Sequence, residues 1–215
     1  EIVEFEPDEF VWHVGDQAGG VFGIVEGAVG VLVPAEEAGL RLAHIMRTGA
    51  WFGYGPLFTG GQRTLTFRTT EPSIVMKIEL ARLNDVGRAD LAFTRIMATL
   101  GVQTATIAIR IIHDLLIPRT DRRIAATLLR VADVHQKSRS PRMREIRLNQ
   151  AELAEMANTS RHSVNRTLRL FQENGWIGVT YRHVQILNSA VLSKFAHGED
   201  GIVGRLHRRN GRGLR

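Results

Sequence analysis

Basic, amide and hydroxyl side chains cluster in one short segment of the chain, and side chains of these types are suited to DNA contact. The segment contains Ser160, Arg161, His162, Ser163, Asn165, Arg166 and Arg169. An Arg side chain can donate two hydrogen bonds to guanine in the major groove, and Asn or Ser side chains can bond other base edges or phosphate oxygens. We therefore expect these residues to form a DNA-contacting surface.

The surrounding sequence predicts two short helices that would position this surface. Asn149 followed by Glu152 is a capping-box pattern at the start of the first helix, and Ser160 is a favourable N-cap for the second. Gly175 ends the second helix, because glycine adopts a left-handed conformation without strain. The inner faces are apolar and consist of Leu153, Met156, Ala157, Val164, Leu168 and Phe171. Two short helices joined by a tight turn match the DNA-binding helix–turn–helix.

Residues 177–187 predict a β-hairpin, or wing, directly after the second helix. Its tip, Tyr181-Arg182-His183, could bring basic side chains to the DNA backbone. An ordinary helical hairpin with a solvated basic face is the alternative to DNA binding. RNA is a weaker alternative, because the aromatic platform of single-strand binders is missing.

The charge of the chain is divided unevenly along its length. The total is +6, but residues 1–80 carry five basic and eleven acidic side chains, whereas residues 81–146 carry twelve and six and residues 147–215 carry eleven and five. An acidic N-terminal part followed by a basic C-terminal part favours a polyanion as the binding partner of the C-terminal part. A solvated basic surface explains the same charge without a partner.

The rest of the sequence predicts a β domain followed by one long helix. In residues 1–81, short apolar runs alternate with Gly-containing turns, as in a jelly-roll-like β-roll. Residues 82–117 contain an apolar seam with coiled-coil spacing, formed by Phe93, Met97, Leu100, Thr104, Ile107 and Ile111. We expect this seam to pair with its copy in a homodimer, and packing on the chain's own β domain is the alternative. Residues 118–195 then form the helix–turn–helix domain, and residues 196–215 a basic, flexible tail.

The composition excludes several kinds of site. The 215-residue chain has no Cys, which excludes disulfides, thiolate zinc sites and cysteine-ligated iron–sulfur clusters. No uninterrupted apolar run reaches ~18 residues, so we expect no membrane span. We find no phosphate-binding loop, nucleophile elbow or zinc-protease motif, so we expect no enzyme. We expect a cytoplasmic protein with no resident cofactor, although His13, His44 and His113 leave haem open.

Three regions resemble the CRP/FNR family of bacterial transcription regulators. The resemblance covers about residues 1–190 and suggests a truncated N-terminus relative to the family. It implies an α+β fold with an N-terminal β-roll of the cyclic-nucleotide-binding type, a long dimerisation helix and a C-terminal winged helix–turn–helix. The similar stretches are Val14-Gly15-Asp16 with residues 21–27 for the first β-roll turns, residues 49–53 with Leu57-Phe58 and Arg63-Thr64 for the phosphate-binding cassette, and residues 152–166 for the recognition motif.

The resemblance also assigns roles in DNA recognition. Arg161 and Arg166 stand where the family places DNA-contacting arginines. His162 stands where a base-contacting Glu is usual, so the half-site preferred by this chain should differ from that of the family.

An effector site follows from the same resemblance, at Gly53, Tyr54, Arg63 and Thr64. The guanidinium and hydroxyl of Arg63-Thr64 suit a phosphate. Family members that bind cyclic AMP have Glu after the cassette Gly, but here Tyr54 stands there, and Ala108-Ile109 offer no hydroxyls to a purine. Cyclic AMP is therefore disfavoured, because unpaired polar partners cost about 1–3 kcal/mol each. Another anionic effector, or none, is the stronger expectation.

Together these observations predict a homodimeric, sequence-specific transcription regulator that binds a palindromic DNA operator. RNA polymerase is a candidate partner if the protein activates transcription. The alternative is a cyclic-nucleotide or other small-ligand sensor whose main output is not DNA binding. The sequence names neither the effector nor the operator, and it does not distinguish activation from repression.

Overall fold

The computed structural model describes residues 1–35, 39–132 and 145–198. It divides into two units, residues 1–109 and residues 110–215. The tail expected at 196–215 lies outside the described residues from residue 199 onward, and residues up to His197 belong to the last helix.

The first unit is built from two four-stranded antiparallel sheets. One sheet has the order β1-β8-β3-β6 and the other β2-β7-β4-β5. The strands are β1 (Ile2–Phe5), β2 (Phe10–Trp12), β3 (Gly20–Glu26), β4 (Ala28–Ala35), β5 (Gly39–Arg47), β6 (Trp51–Phe52), β7 (Thr66–Thr69) and β8 (Ser73–Glu79), with the short helix α1 (Gly55–Thr59) after β6. This arrangement confirms the predicted β-roll.

Aromatic side chains from both sheets form the core of the β-roll. The ring of Trp12 lies 4.9 Å from that of Phe22, 5.2 Å from that of Phe52 and 4.7 Å from that of Phe67. The indole nitrogen of Trp12 donates a 2.9 Å hydrogen bond to the carbonyl oxygen of Leu65, which satisfies its one polar group. Aromatic side chains from both sheets thus form one continuous core between them.

Two helices occupy the region for which one helix was expected. They are α2 (Leu80–Ala89) and α3 (Leu91–Leu115). They are separated at Asp90, which has an extended backbone and whose carboxylate accepts a 2.7 Å hydrogen bond from the amide of Ala92. The prediction of a single helix over 82–117 was therefore wrong. The side chain of Asp90 bonds a nearby backbone amide, and an Asp that does so favours the start of a helix over its interior. The helix ends before Pro118, as expected from the missing backbone donor.

The apolar seam expected to face a partner is turned mostly toward the same chain. Met97 is buried, and Phe93, Leu100, Ile107 and Ile111 are half-buried; Phe93 lies against Gly87 of α2. A second stripe, on the opposite side of α3, is exposed and also follows the heptad spacing. This α3 stripe consists of Ala98, Val102, Ala105, Ile109 and Ile112, with Leu116 just beyond the helix end.

The second unit is helical with a small antiparallel sheet of order β10-β11-β9. Its elements are α4 (Thr120–Val131), β9 (Glu145–Arg147), α5 (Gln150–Met156), α6 (Arg161–Glu173), β10 (Ile177–Thr180), β11 (His183–Ile186) and α7 (Ser189–His197). The hairpin of β10 and β11 is the predicted wing, with Arg182 in a left-handed conformation at its turn. The helix–turn–helix and wing are thus confirmed, and the fold class is α+β.

An aromatic cluster holds α6 in the second unit. Phe171 is fully buried, and its ring lies 5.5 Å from the rings of both Trp176 and Phe195. Leu170, its neighbour on the same helix, is exposed.

Replacing Phe171 by Ala should lower the free energy of unfolding by about 3–5 kcal/mol, because it removes a buried ring and leaves a cavity. Replacing Leu170 by Ala is the matched control and should cost less than about 1 kcal/mol. Urea denaturation followed by tryptophan fluorescence measures both values. Equal losses in the two variants would show that Phe171 is not a core residue.

Candidate nucleic-acid interface and effector site

The first helix of the helix–turn–helix begins with the capping box that the sequence predicted. The side-chain oxygen of Asn149 accepts 2.9 Å hydrogen bonds from the amides of Ala151 and Glu152. The carboxylate of Glu152 accepts a 2.8 Å bond from the amide of Asn149. Three backbone amides at the start of α5 are therefore satisfied, and the direction of the helix is fixed.

The turn between α5 and α6 is held by its own backbone and by the cap of α6. Asn158 adopts a left-handed conformation with φ 44°, and the amide of Thr159 donates a 2.9 Å bond to the carbonyl oxygen of Ala154. The hydroxyl of Ser160 accepts a 3.1 Å bond from the amide of Ser163, which confirms the predicted N-cap.

Arg123 of α4 fixes the same turn, and no sequence pattern predicted this contact. Its guanidinium donates hydrogen bonds to the carbonyl oxygens of Ala157 (2.6 Å), Asn158 (3.3 Å) and Ile117 (2.8 Å). These carbonyls lie where helices end and have no intrahelical amide to bond, so the guanidinium satisfies them. Arg123 thereby connects the helix–turn–helix to the chain on either side of Pro118.

The outer face of α6 carries most of the predicted contact residues. Ser160, Arg161, His162, Arg166 and Arg169 are exposed. In the described ranges, no acidic side chain pairs with Arg161, Arg166 or Arg169, so their charges are available to a phosphate or a base.

Two predicted contact residues are half-buried or take part in local bonds. The amide of Asn165 donates a 3.3 Å bond to the side-chain oxygen of Gln150 on α5. The hydroxyl of Ser163 lies 3.0 Å from that of Ser160. Asn165 therefore links the two helices of the motif in the free protein.

The tip of the wing is exposed and basic. Tyr181 is almost fully exposed, and the guanidinium of Arg182 lies 5.7 Å from the centre of its ring. A ring nitrogen of His183 lies 2.9 Å from the carbonyl oxygen of Tyr181. The predicted basic tip is thus presented to solvent.

The predicted effector residues lie together in the first unit, and Arg63 is the central one. Its side chain is only 4% exposed, and its two terminal nitrogens donate 2.7 Å bonds to the carbonyl oxygens of Gly53 and Gly20. Its guanidinium lies 4.0 Å from the centre of the Trp12 ring. Burial lowers the pKa of Arg63 from its ordinary value, although nearby Asp16 opposes this change. The guanidinium is thus bound by protein groups from two directions.

The backbone of Gly53 allows this arrangement. Gly53 has φ +79°, and a Cβ there would lie 2.8 Å from both a terminal nitrogen of Arg63 and the Trp12 ring. A side chain at this position would be strained by the backbone and by the close contact. Gly53 therefore lets the chain approach Arg63.

The other two predicted effector residues differ in their surroundings. The hydroxyl of Tyr54 donates a 2.9 Å bond to the carbonyl oxygen of Leu100 and also bonds the hydroxyl of Thr104, both on α3. Thr64 is exposed. Tyr54, in place of the acceptor expected for a ribose, thus joins the cassette to the long helix.

Comparison with known proteins found two matching family models, one in each unit. A family model described as a Crp-like helix-turn-helix domain matches residues 122–195. A second, described as a cyclic nucleotide-binding domain, matches residues 2–90.

Similar curated proteins and solved structures extend over most of the chain. The cAMP-activated global transcriptional regulator CRP of Pasteurella multocida is 23% identical over 75% of this chain and 78% of its own length. The corresponding regulator Vfr of Pseudomonas aeruginosa is 25% identical over 78% of this chain and 80% of its own. Among solved structures, FixK2 of Bradyrhizobium japonicum superposes with a TM-score of 0.78 at 17% identity, covering 91% of this chain and 96% of its own. A CRP-family regulator of Thermus thermophilus has a TM-score of 0.71 at 23% identity, covering 90% and 96%.

Replacing Gly53 by Ala should lower the free energy of unfolding by about 1–3 kcal/mol, because the new Cβ meets Arg63 and Trp12 in a left-handed backbone. Gly61→Ala is the control: Gly61 is exposed and the nearest atom to an added Cβ is 3.6 Å away. Thermal unfolding followed by circular dichroism compares the two variants. If Gly53→Ala is as stable as Gly61→Ala, then the contact between Gly53 and Arg63 does not constrain the cassette.

Proposed function

We propose that this chain, which belongs to the CRP/FNR family of DNA-binding transcription regulators, binds a palindromic operator as a homodimer through the outer face of α6. The proposal rests mainly on three arginines of this face that have no acidic partner among the described residues. The helix that carries them is capped at its start by Ser160 and packed on its inner face through buried apolar side chains. A helix held in this way can enter the major groove with its basic side chains already oriented.

The proposed contacts divide into base recognition and backbone attachment. Arg161 and Arg166 are proposed to bind guanine edges, and Ser160, Ser163 and Arg169 to bind phosphates or neighbouring edges. Asn165 must leave Gln150 if it is to contact a base, and the 3.3 Å bond between them is long enough to exchange readily. We propose that His162 gives this protein an operator preference different from that of relatives with Glu at this position.

The homodimer is proposed to form through the α3 stripe, in place of the seam inferred from sequence. The stripe residues Val102, Ile109 and Ile112 are 67%, 66% and 58% exposed in the single chain. A second α3 helix can cover a stripe with this heptad spacing along its whole length. Dimer symmetry would then place two copies of α6 on DNA half-sites about one helical turn apart, or a multiple of it.

The long helix α3 is also long and apolar enough, by length and composition, to cross a membrane. A lipid-facing helix is apolar on all sides, whereas α3 carries exposed polar residues such as Gln103 next to its stripe. We therefore assign its apolar surface to a second copy of the chain. With DNA as the partner, a cytoplasmic location follows as part of the proposal.

We propose that any effector is an anion other than cyclic AMP that binds Arg63. Because the guanidinium of Arg63 is already bonded to two backbone carbonyl oxygens, such an anion must displace at least one of them. Such a ligand would compete with the carbonyl oxygens of Gly53 and Gly20 for the guanidinium. The Nε of Arg63 is buried without a hydrogen-bond partner among the described residues, so it is the donor still available. The alternative function, a small-ligand sensor whose main output is not DNA binding, rests on this donor alone and is less well supported than DNA binding.

Two further expectations concern partners and chemistry. We propose RNA polymerase as a partner if the protein activates transcription. The family is one of transcription regulators, and we expect no catalytic activity.

Replacing Arg166 by Ala should weaken binding to the specific operator by about 1–3 kcal/mol, because a bidentate contact to a base is lost. The matched control is Arg82→Ala, which removes the same charge from the exposed surface of α2. Fluorescence anisotropy at matched salt measures both affinities. An equal loss in the two variants would show that only net charge matters, and unchanged binding by Arg166→Ala would contradict the proposed docking of α6.

Replacing Ile109 by Glu should raise the dimer dissociation constant at least about 100-fold, because an unpaired buried carboxylate costs several kcal/mol. Ile96→Glu is the matched control, since Ile96 is similarly exposed (57%) but lies off the α3 stripe. Sedimentation equilibrium compares the variants. A monomeric wild type, or two variants that both remain dimers, would contradict the proposed interface.

A further inference from the structure

Two histidines and one buried aspartate converge in the second unit, at a place that DNA binding does not use. They are His113 and Asp114 at the end of α3 and His197 at the end of α7. Their candidate ligand atoms all lie within 4.8 Å of one another. The two imidazole rings are 5.6 Å apart and come from positions far apart in the chain. Such convergence of nitrogen and carboxylate ligands requires an explanation beyond local sequence.

The buried aspartate has one oxygen satisfied and the other directed toward a histidine. Asp114 is 5% exposed, and its Oδ2 accepts a 2.7 Å bond from the Nε of Arg130 on α4. Its Oδ1 lies 3.9 Å from the Nδ1 of His113, which is beyond hydrogen-bond length. The Arg130 contact thus orients the carboxylate and leaves Oδ1 able to bind a cation between itself and the imidazole.

His197 is oriented by its own helix. Its Nδ1 lies 3.1 Å from the carbonyl oxygen of Ser193. A carbonyl oxygen only accepts, so this bond requires the tautomer in which Nδ1 carries the proton, and that tautomer leaves the lone pair of Nε2 for a metal. In metal sites, the ring nitrogen of a histidine that does not bind the metal usually donates a hydrogen bond to a carboxylate or a backbone carbonyl oxygen, which orients the ring. The carbonyl oxygen of Ser193 can do this for His197.

We propose that His113, Asp114 and His197 bind a divalent transition metal of the zinc class. Imidazole nitrogens with one carboxylate oxygen suit such an ion, whereas calcium and magnesium prefer sites made of oxygen ligands. Bonds of zinc length place ligand atoms about 3.4 Å apart, so separations of up to 4.8 Å must shorten by at most about 1.4 Å. His113 is the ligand able to move, because its side chain is 48% exposed. Three protein ligands leave a fourth position for water.

The metal would join the end of α3 to the end of α7. Since Arg130 of α4 holds the same carboxylate, the ion would connect three helices of the second unit. Binding to the folded state alone raises thermal stability as the metal concentration rises. The metal would therefore stabilise the DNA-binding unit at the end of the long helix.

The test is competition of the full-length metal-free chain with a chromophoric chelator for Zn²⁺. We expect one site per protomer with a dissociation constant below about 10 µM. His113→Gln and His197→Gln should each weaken this site at least about 100-fold, because loss of a direct ligand exceeds the 10–100-fold cost of losing an outer-shell partner. His13→Gln is the matched control, because the exposed His13 also lies beside a carboxylate, 4.0 Å from Asp16, and should bind as the wild type does.

Two further readouts make the proposal falsifiable. Zn²⁺ should raise the melting temperature of the wild type and of His13→Gln but not of the other two variants, and Co²⁺ should give a visible absorption spectrum that His113→Gln loses. No wild-type site tighter than about 10 µM would overturn the proposal. Zn²⁺ binding that stays as tight in both His113→Gln and His197→Gln as in the wild type would also overturn the proposal. The ligands would then have to be sought elsewhere, for instance at His135 and His207, which lie outside the described residues.

Discussion

A continuous apolar stripe on the exposed side of α3 determines how two copies of the chain are proposed to assemble. Among the described residues none covers the α3 stripe, and its repeated spacing of three and four residues suits a second helix. In the proposed homodimer a copy of the same helix covers the stripe, and the dimer is symmetric. This symmetry would make the two recognition helices act together and would give the DNA site two related halves.

The helix–turn–helix could be predicted from sequence because its determinants are local. The Asn149 and Ser160 caps and the 3.6-residue periodicity of the inner faces lie within a few residues of the elements they define. The contacts of Arg123 with Ala157 and Asn158 could not be predicted, since they join residues more than thirty positions apart. Nothing in the types of the residues flanking Arg123 distinguishes it from a solvated arginine.

The seam inferred from sequence and the stripe proposed for the homodimer lie on different faces of α3, and there is a physical reason why the sequence favoured the seam. Both faces carry apolar residues with the same spacing, and the large side chains at Phe93, Met97 and Leu100 make one seam conspicuous. Two members of the exposed stripe are alanines, which contribute little apolar signal. The structure shows that part of the conspicuous seam faces the same chain, since Phe93 lies against Gly87 of α2 and the hydroxyl of Tyr54 bonds the carbonyl oxygen of Leu100. For Arg63, similarly, the resemblance predicted the residue, while its burial against Trp12 depends on strands distant in sequence.

Selection of bound DNA from a random pool by the purified full-length chain tests the central claim most directly. A symmetric dimer should enrich a palindrome whose half-sites are centred about one helical turn apart and which binds two protomers. Enrichment of a single asymmetric half-site bound by one protomer, or no enrichment at all, would contradict it.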